Sequence, residues 1–199
     1  MKKYLLAVGL LTGMVSCSNQ EKLLVVMSKG DANIDVNAKT ITATDGAGHV
    51  MKNVEVNAEK VSFSISSPAG KGNIDLTENG LYVVNVKNDT IIGSLQSYVT
   101  QATTQTVVSQ EELKHKIDSL QLLTEGKNVS AENHNFFILP NTAVRITGNT
   151  DALIIGPYHQ MQSVEKIDGK IPEVYRFFSV KEARETIRKM TALTVPEKK

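Results

Sequence analysis

Across residues 23–95 apolar and polar positions alternate with a period of two, most plainly where Val61, Phe63 and Ile65 are interleaved with Ser62, Ser64 and Ser66. Such alternation predicts a strand with one face packed and one face wet. Ile34, Val36 and Ile41, followed by Val50, Val54 and Val56, form further runs on either side of an Asp45-Gly46 turn. Ile74 and Leu76 lead through Asn79-Gly80 into an apolar run over 81–86, and Asn-Gly between hydrophobic runs predicts a hairpin. A second tight turn at Asn88-Asp89 opens the run over 90–95. The expectation is an antiparallel β-sandwich or meander of about six or seven strands.

The pattern then changes. Residues 96–108, QSYVTQATTQTVV, carry no Gly, Pro or charge and read as a polar linker or a crossover strand. Ser109 with Glu112 forms a capping box, Val108 and Leu113 suit a hydrophobic staple, and Leu113, Ile117 and Leu120 follow at helical spacing up to a stop at Gly126. Ser179 with Glu182 repeats that grammar, with Val180, Ala183, Ile187 and Met190 along one side and Pro196 ending the ordered chain. Between these helices, strands are predicted at 135–139, 143–147, 152–155 and 173–178, separated by turn residues at Pro140, Gly148-Asn149, Gly156-Pro157 and Asp168-Gly169. The fold class is therefore mainly β plus α+β: an antiparallel β domain over 23–95, then a smaller α+β unit with two helices over 109–195, with a disordered tail at 196–199. Pattern alone leaves open whether the two halves share a core.

Composition narrows the function. The chain has 22 Lys plus Arg against 21 Asp plus Glu, evenly mixed, so it lacks the clustered basic excess that binding nucleic acid requires. Its first residues, MKKYLLAVGLLTGMVSC, have another character: Lys2 and Lys3, then an apolar stretch too short to span a bilayer, then the small residue Ser16 before Cys17. Cys17 is the single cysteine of the chain, which excludes an intramolecular disulfide. No later hydrophobic run has the length of a transmembrane helix.

This leader resembles a bacterial lipoprotein signal peptide, with Met14-Val15-Ser16-Cys17 as its lipobox. The resemblance covers residues 1–17, and Met14 and Val15 are hydrophobic but are not the residues the family favours there. It implies cleavage of a signal peptide over 1–16, lipid attachment to Cys17 and a short tether over 17–22. Two or three acyl chains hold a protein stably where one is marginal. Ser18, where an Asp would direct retention in the inner membrane, implies the outer membrane, facing the periplasm or the cell surface. The partner expected first is thus the membrane, through lipid on Cys17.

Candidate chemistry is sparse. Ser163-Val164-Glu165-Lys166 matches the Ser-x-x-Lys nucleophile motif of penicillin-binding proteins, yet neither Ser-Asp-Asn nor Lys-Thr-Gly follows it. Of the histidines His49, His115, His134 and His159, only the Glu132-Asn133-His134 spacing approaches a metal-ligand pair, and a surface histidine near a turn is the plainer account. Glu125, Glu132, Asp151 and Asp168 offer scattered carboxylates without a readable separation. Asp45-Gly46-Ala47-Gly48 lacks the third glycine and the lysine of a phosphate loop. Phe136, Phe137, Tyr158, Tyr175, Phe177 and Phe178 concentrate aromatics in the second half, as a recognition patch or, more plainly, as core. No catalytic, cofactor or metal residue is expected. The leading reading is a non-enzymatic binding or structural module with a protein or envelope partner. The alternative is an envelope hydrolase acting on glycan, peptide or ester around Ser163, Lys166, His134 and His159.

Overall fold

The computed structural model describes residues 21–97, 109–130, 132–157, 163–167 and 169–194. In chain order these form β1 (Glu21–Ser28), β2 (Ala32–Asp35), β3 (Thr40–Ala43), β4 (Val50–Asn57), β5 (Val61–Ser67), β6 (Gly70–Leu76), β7 (Gly80–Asn85) and β8 (Ile91–Gln96). Then follow α1 (Gln110–Thr124), β9 (Asn135–Ile138), β10 (Thr142–Thr147), β11 (Leu153–Ile155), β12 (Val174–Ser179) and α2 (Val180–Thr194). The described residues are mainly β, with two helices among them, one mid-chain and one after the last described strand.

The strands make three four-stranded sheets stacked on one another, ordered β2-β3-β5-β6, β10-β7-β1-β4 and β11-β12-β8-β9. The second of these is central. Leu24, Val26, Tyr82 and Val84 point from it toward Ile41, Phe63, Ile65 and Leu76 of the first sheet. Val25, Met27, Leu81 and Val83 point the other way, onto Ile91, Phe136, Ile138, Tyr175 and Phe177 of the third. The third sheet's far face, with Ile92, Phe137 and Phe178, is covered by Leu120 and Leu123 of α1 and by Val180 and Ala183 of α2. Four layers result, with three apolar seams between them.

Sequence patterning follows from this order. In β5 the apolar residues face the first seam while Ser62, Ser64 and Ser66 are exposed, as a half-wet strand requires. In β7 all six residues are buried, because a central strand packs on both faces and loses its period of two.

Each sheet also contains one parallel pair, β1 with β7, β3 with β5 and β11 with β12, which alternation by itself does not reveal. The Asn79-Gly80 signal is corrected by the pairing: β6 joins β5 and β7 joins β1, so the dipeptide is a corner between sheets and not a hairpin. Pairing β6 with β7 would leave one face of the apolar β7 in water. Gly80 is needed there for another reason: its φ is +132°, and a Cβ would lie 2.3 Å from the Thr147 carbonyl oxygen. Asp45-Gly46 and Asn88-Asp89 likewise turn the chain from one sheet into the next. The hairpins within 23–95 are β2–β3 and β5–β6; in the first, Asp35 Oδ1 accepts from the backbone N–H groups of Asn37 and Ala38.

Both capping boxes form. Ser109 Oγ accepts from Glu112 N at 3.1 Å and Glu112 Oε2 accepts from Ser109 N at 2.9 Å. Ser179 and Glu182 make the same exchange at 3.1 and 2.7 Å. Gly126, with φ +69°, ends α1, and Lys127 N donates back to the Leu122 carbonyl. Val108 and Pro196 lie outside the described residues.

The strands of the second half do not make a sheet of their own. β10 extends the central sheet along β7, and β9 and β12 flank β8. Backbone hydrogen bonding therefore crosses the compositional break at 96–108, and the two halves share their cores.

Candidate functional site

Because β1 and β7 run parallel, their C-terminal ends meet. Beyond them Val86 N donates to the Met27 carbonyl, and Asn85, fully buried, ties down the following turn. Its Nδ2 donates to the carbonyls of Asp89 and Ile138 at 2.9 and 3.0 Å, and its Oδ1 accepts from Lys87 N at 3.0 Å. These bonds draw Lys87 inward, where it is only 4 % exposed.

The Lys87 ammonium meets a histidine. Its Nζ stands 2.7 Å from His49 Nδ1, and His49 directly precedes β4, whose first residue pairs with Ser28 at the same end of the central sheet. An ammonium only donates, so Nδ1 is the acceptor and the ring is neutral with its proton on Nε2. That Nε2 is buried and has no hydrogen-bond partner among the described residues. It faces Gly156, just after β11, where a Cβ would stand 2.6 Å from it, so glycine is what admits the ring.

Electrostatics match this geometry. Burial, reinforced by the Lys87 charge and opposed by Glu182, pushes the His49 pKa down from 6.5 to about 4. Burial also lowers the Lys87 pKa, with Lys29 adding to the effect and Glu182 and Asp89 opposing it. Beside the pair, Lys29, Asn88, Asp89, Lys181 and Arg184 line an open depression. The arrangement keeps His49 neutral, as the acceptor of the Lys87 ammonium.

A second lysine is more deeply placed. Lys22 of β1 is fully buried, and its Nζ donates to the carbonyls of Ala58 and Glu59 at 2.5 and 2.9 Å and to Asn79 Oδ1 at 3.2 Å. It joins two loops, β4–β5 and β6–β7, at the opposite end of the central sheet from Lys87. Nearby, the Tyr175 hydroxyl donates to Glu173 Oε2 at 3.0 Å and lies 3.4 Å from His134 Nδ1. Burial, then Glu173, pushes its pKa up to about 12.

The residues singled out from sequence are dispersed. Ser163 and Lys166 are exposed, and among the described residues no hydrogen bond joins them. His115, Glu132 and His134 are exposed, as are Glu125 and Asp151. Among the described residues no three His, Cys, Asp or Glu side chains converge as metal ligands. Phe136, Tyr175 and Phe177 are core, with Phe136 and Tyr175 edge-to-face at 5.8 Å. Cys17, Tyr158, His159 and Asp168 lie outside the described residues. No motif in the sequence marks Lys87 or Lys22, and His49 stands there as one of four histidines. Lys22 sits three residues before Val25 in an apolar strand, and that placement is a readable signal; Lys87 after five apolar residues and an Asn is a weaker one.

No family model, curated protein or solved structure compared with the chain matches it.

Proposed function

We propose that this is a lipid-anchored protein of the bacterial envelope, exported on residues 1–16, acylated at Cys17 and held in the outer membrane. In this reading its body is a binding or structural module for a protein or envelope partner rather than an enzyme. The observation that carries the proposal is the position of Cys17: it is the single cysteine of the chain, it closes the leader, and β1 begins four residues later. No described helix is long and apolar enough to cross a membrane, which leaves the attachment to lipid in this reading. The stack of three sheets supplies the rigid scaffold that a binding or structural role needs.

The test is growth with an alkyne-tagged fatty acid, expressing the full chain beside Cys17→Ser. The expected result is a label that stays with the protein in the outer-membrane fraction and disappears in the variant. An unlabelled wild-type chain would overturn the lipid anchor. Cross-linking of the anchored protein in intact envelope then addresses the partner, and recovery of no cross-linked species counts against a binding role.

A further inference from the structure

An Asp or Asn side chain can be attacked by the backbone nitrogen of the residue that follows it. The attack needs a reachable nitrogen, a side chain folded back over it, and a carboxyl or amide carbon able to lose water or ammonia. Asn79-Gly80, Asp31-Ala32 and Asp45-Gly46 meet these needs unequally.

Asn79-Gly80 is the most reactive of the three as a dipeptide, because glycine shields its own nitrogen least. In the fold it is held. Asn79 Oδ1 accepts from the buried Lys22 ammonium at 3.2 Å, and its carbonyl accepts from Arg145 Nε at 2.7 Å. Gly80 is buried at the start of β7, in register with Lys22, so closing a ring would pull β7 out of the central sheet. Asp31-Ala32 has the fold-back but not the chemistry. Ala32 N donates to Asp31 Oδ1 at 2.9 Å, and Lys52 Nζ stands 2.6 Å from the same oxygen. That hydrogen bond, then the lysine's charge, holds the Asp31 carboxyl below the usual carboxylate range, as an anion that releases no water. Ala32 is itself buried and paired with Ala43.

Asp45-Gly46 has everything the other two lack. Gly46 N donates to Asp45 Oδ1 at 3.1 Å, both residues are exposed, and no ion pair among the described residues engages Asp45. A side chain folded back in this way is held near attack, which removes part of the entropic cost of closing a ring. Thr44 N, donating to the Asp31 carbonyl at 3.0 Å, fixes the chain just before it.

We propose that Asp45-Gly46 is a self-modification site, where aspartate isomerises to isoaspartate while the protein stays folded. Gly46 N bonds to Asp45 Cγ, and the carboxyl hydroxyl leaves with the nitrogen's proton as water, giving a five-membered succinimide. Water then opens the ring. Addition at Cγ restores aspartate; addition at the main-chain carbonyl leaves Gly46 attached through Cγ, with one more methylene in the backbone. That methylene enters a tight place, since a Cβ on Gly30 would already lie 2.8 Å from the Thr44 carbonyl oxygen. It also enters the connection that carries His49 to Lys87.

The full chain is aged near neutral pH, folded or in guanidinium, and digested with trypsin under mildly acidic conditions. Isoaspartate is read by electron-transfer fragmentation and by isoaspartyl methyltransferase labelling. Asp45 is the single aspartate of peptide 40–52, while Asp31 and Asn79 fall in 30–39 and 72–87. From folded protein we expect at least about tenfold more isoaspartate in 40–52 than in 30–39, and Asn79 still an amide. In guanidinium the order should reverse, with Asn79 losing ammonia first. Asp45→Glu, whose longer side chain disfavours the five-membered ring, should abolish the folded-state signal. Isoaspartate in 40–52 no higher than in 30–39 would overturn the proposal, as would Asn79 reacting ahead of Asp45 in the folded chain.

Discussion

Lys87 Nζ donates to His49 Nδ1 across 2.7 Å inside the protein, so a buried cation is solvated by a ring that must stay neutral to accept it. Protonating His49 would remove the acceptor and set two positive charges side by side.

Stability should therefore fall with acid. The His49 pKa is depressed in the fold, so between pH about 6.5 and about 4 the unfolded chain binds the proton that the folded chain refuses. Folding is unpenalised above this window and weakens progressively down through it, by about 2 kcal/mol once screening at the ring's exposed edge is allowed for. Urea unfolding at several pH values should show that slope in the native chain. His49→Gln keeps an acceptor for Lys87 without the titration and should flatten it; an unchanged slope would assign the effect to other groups.

The pair can also be read by NMR. Burial is the larger cause of the low His49 pKa and the Lys87 charge the second. In Lys87→Met the His49 ring resonances should titrate above about 4 but short of 6.5, since desolvation persists. A full return to the ordinary histidine value would show that burial of the ring is not the main cause.

Lys22 makes a different prediction. Lys22→Met removes the donor to the Ala58 and Glu59 carbonyls and to Asn79 Oδ1, acceptors on half-buried or exposed residues that water can then reach. The expected cost is about 1 to 2 kcal/mol, seen as a lower urea midpoint with an unchanged slope. Asn79→Ala, which removes one acceptor and leaves two, should cost about 1 kcal/mol. A neutral Lys22→Met would mean that the two loops hold without it.

Gly93 of β8 faces Phe177 of β12 in register, and a Cβ there would lie 2.2 Å from the ring. Gly93→Ala should cost about 2 kcal/mol or more through overpacking. Combined with Phe177→Leu, which makes room, the loss should be smaller than the sum of the two single losses. Strict additivity in thermal or urea unfolding would show that the ring moves aside freely.

Local signals were legible and long-range ones were not. Ser109 with Glu112 and Ser179 with Glu182 act within one turn, so their spacing was enough to place both helix starts. The four strands of the second half stand within a residue of where alternation put them. Which strand neighbours which depends on contacts far apart in sequence, and there Asn79-Gly80 misled, because a corner between sheets uses the same residues as a hairpin. The buried run of β7 hinted at a central position, but a short apolar stretch does not name its partners. The Lys87–His49 pair was beyond reach for the same reason: its members are 38 residues apart and meet through sheet order alone.

The late arrival of β10 and β12 has a consequence for how the chain becomes a protein. The central sheet is finished by Thr142–Thr147 and the sheet behind it by Val174–Ser179, while β8 finds its neighbours β9 and β12 only after residue 134. A nascent or truncated chain stopping near residue 108 would expose the edge of a strand that is greasy on both sides, an invitation to aggregate. With so much pairing at long sequence separation, folding should be slow and all-or-none. A chain built this way stays threadable until its last strands are delivered.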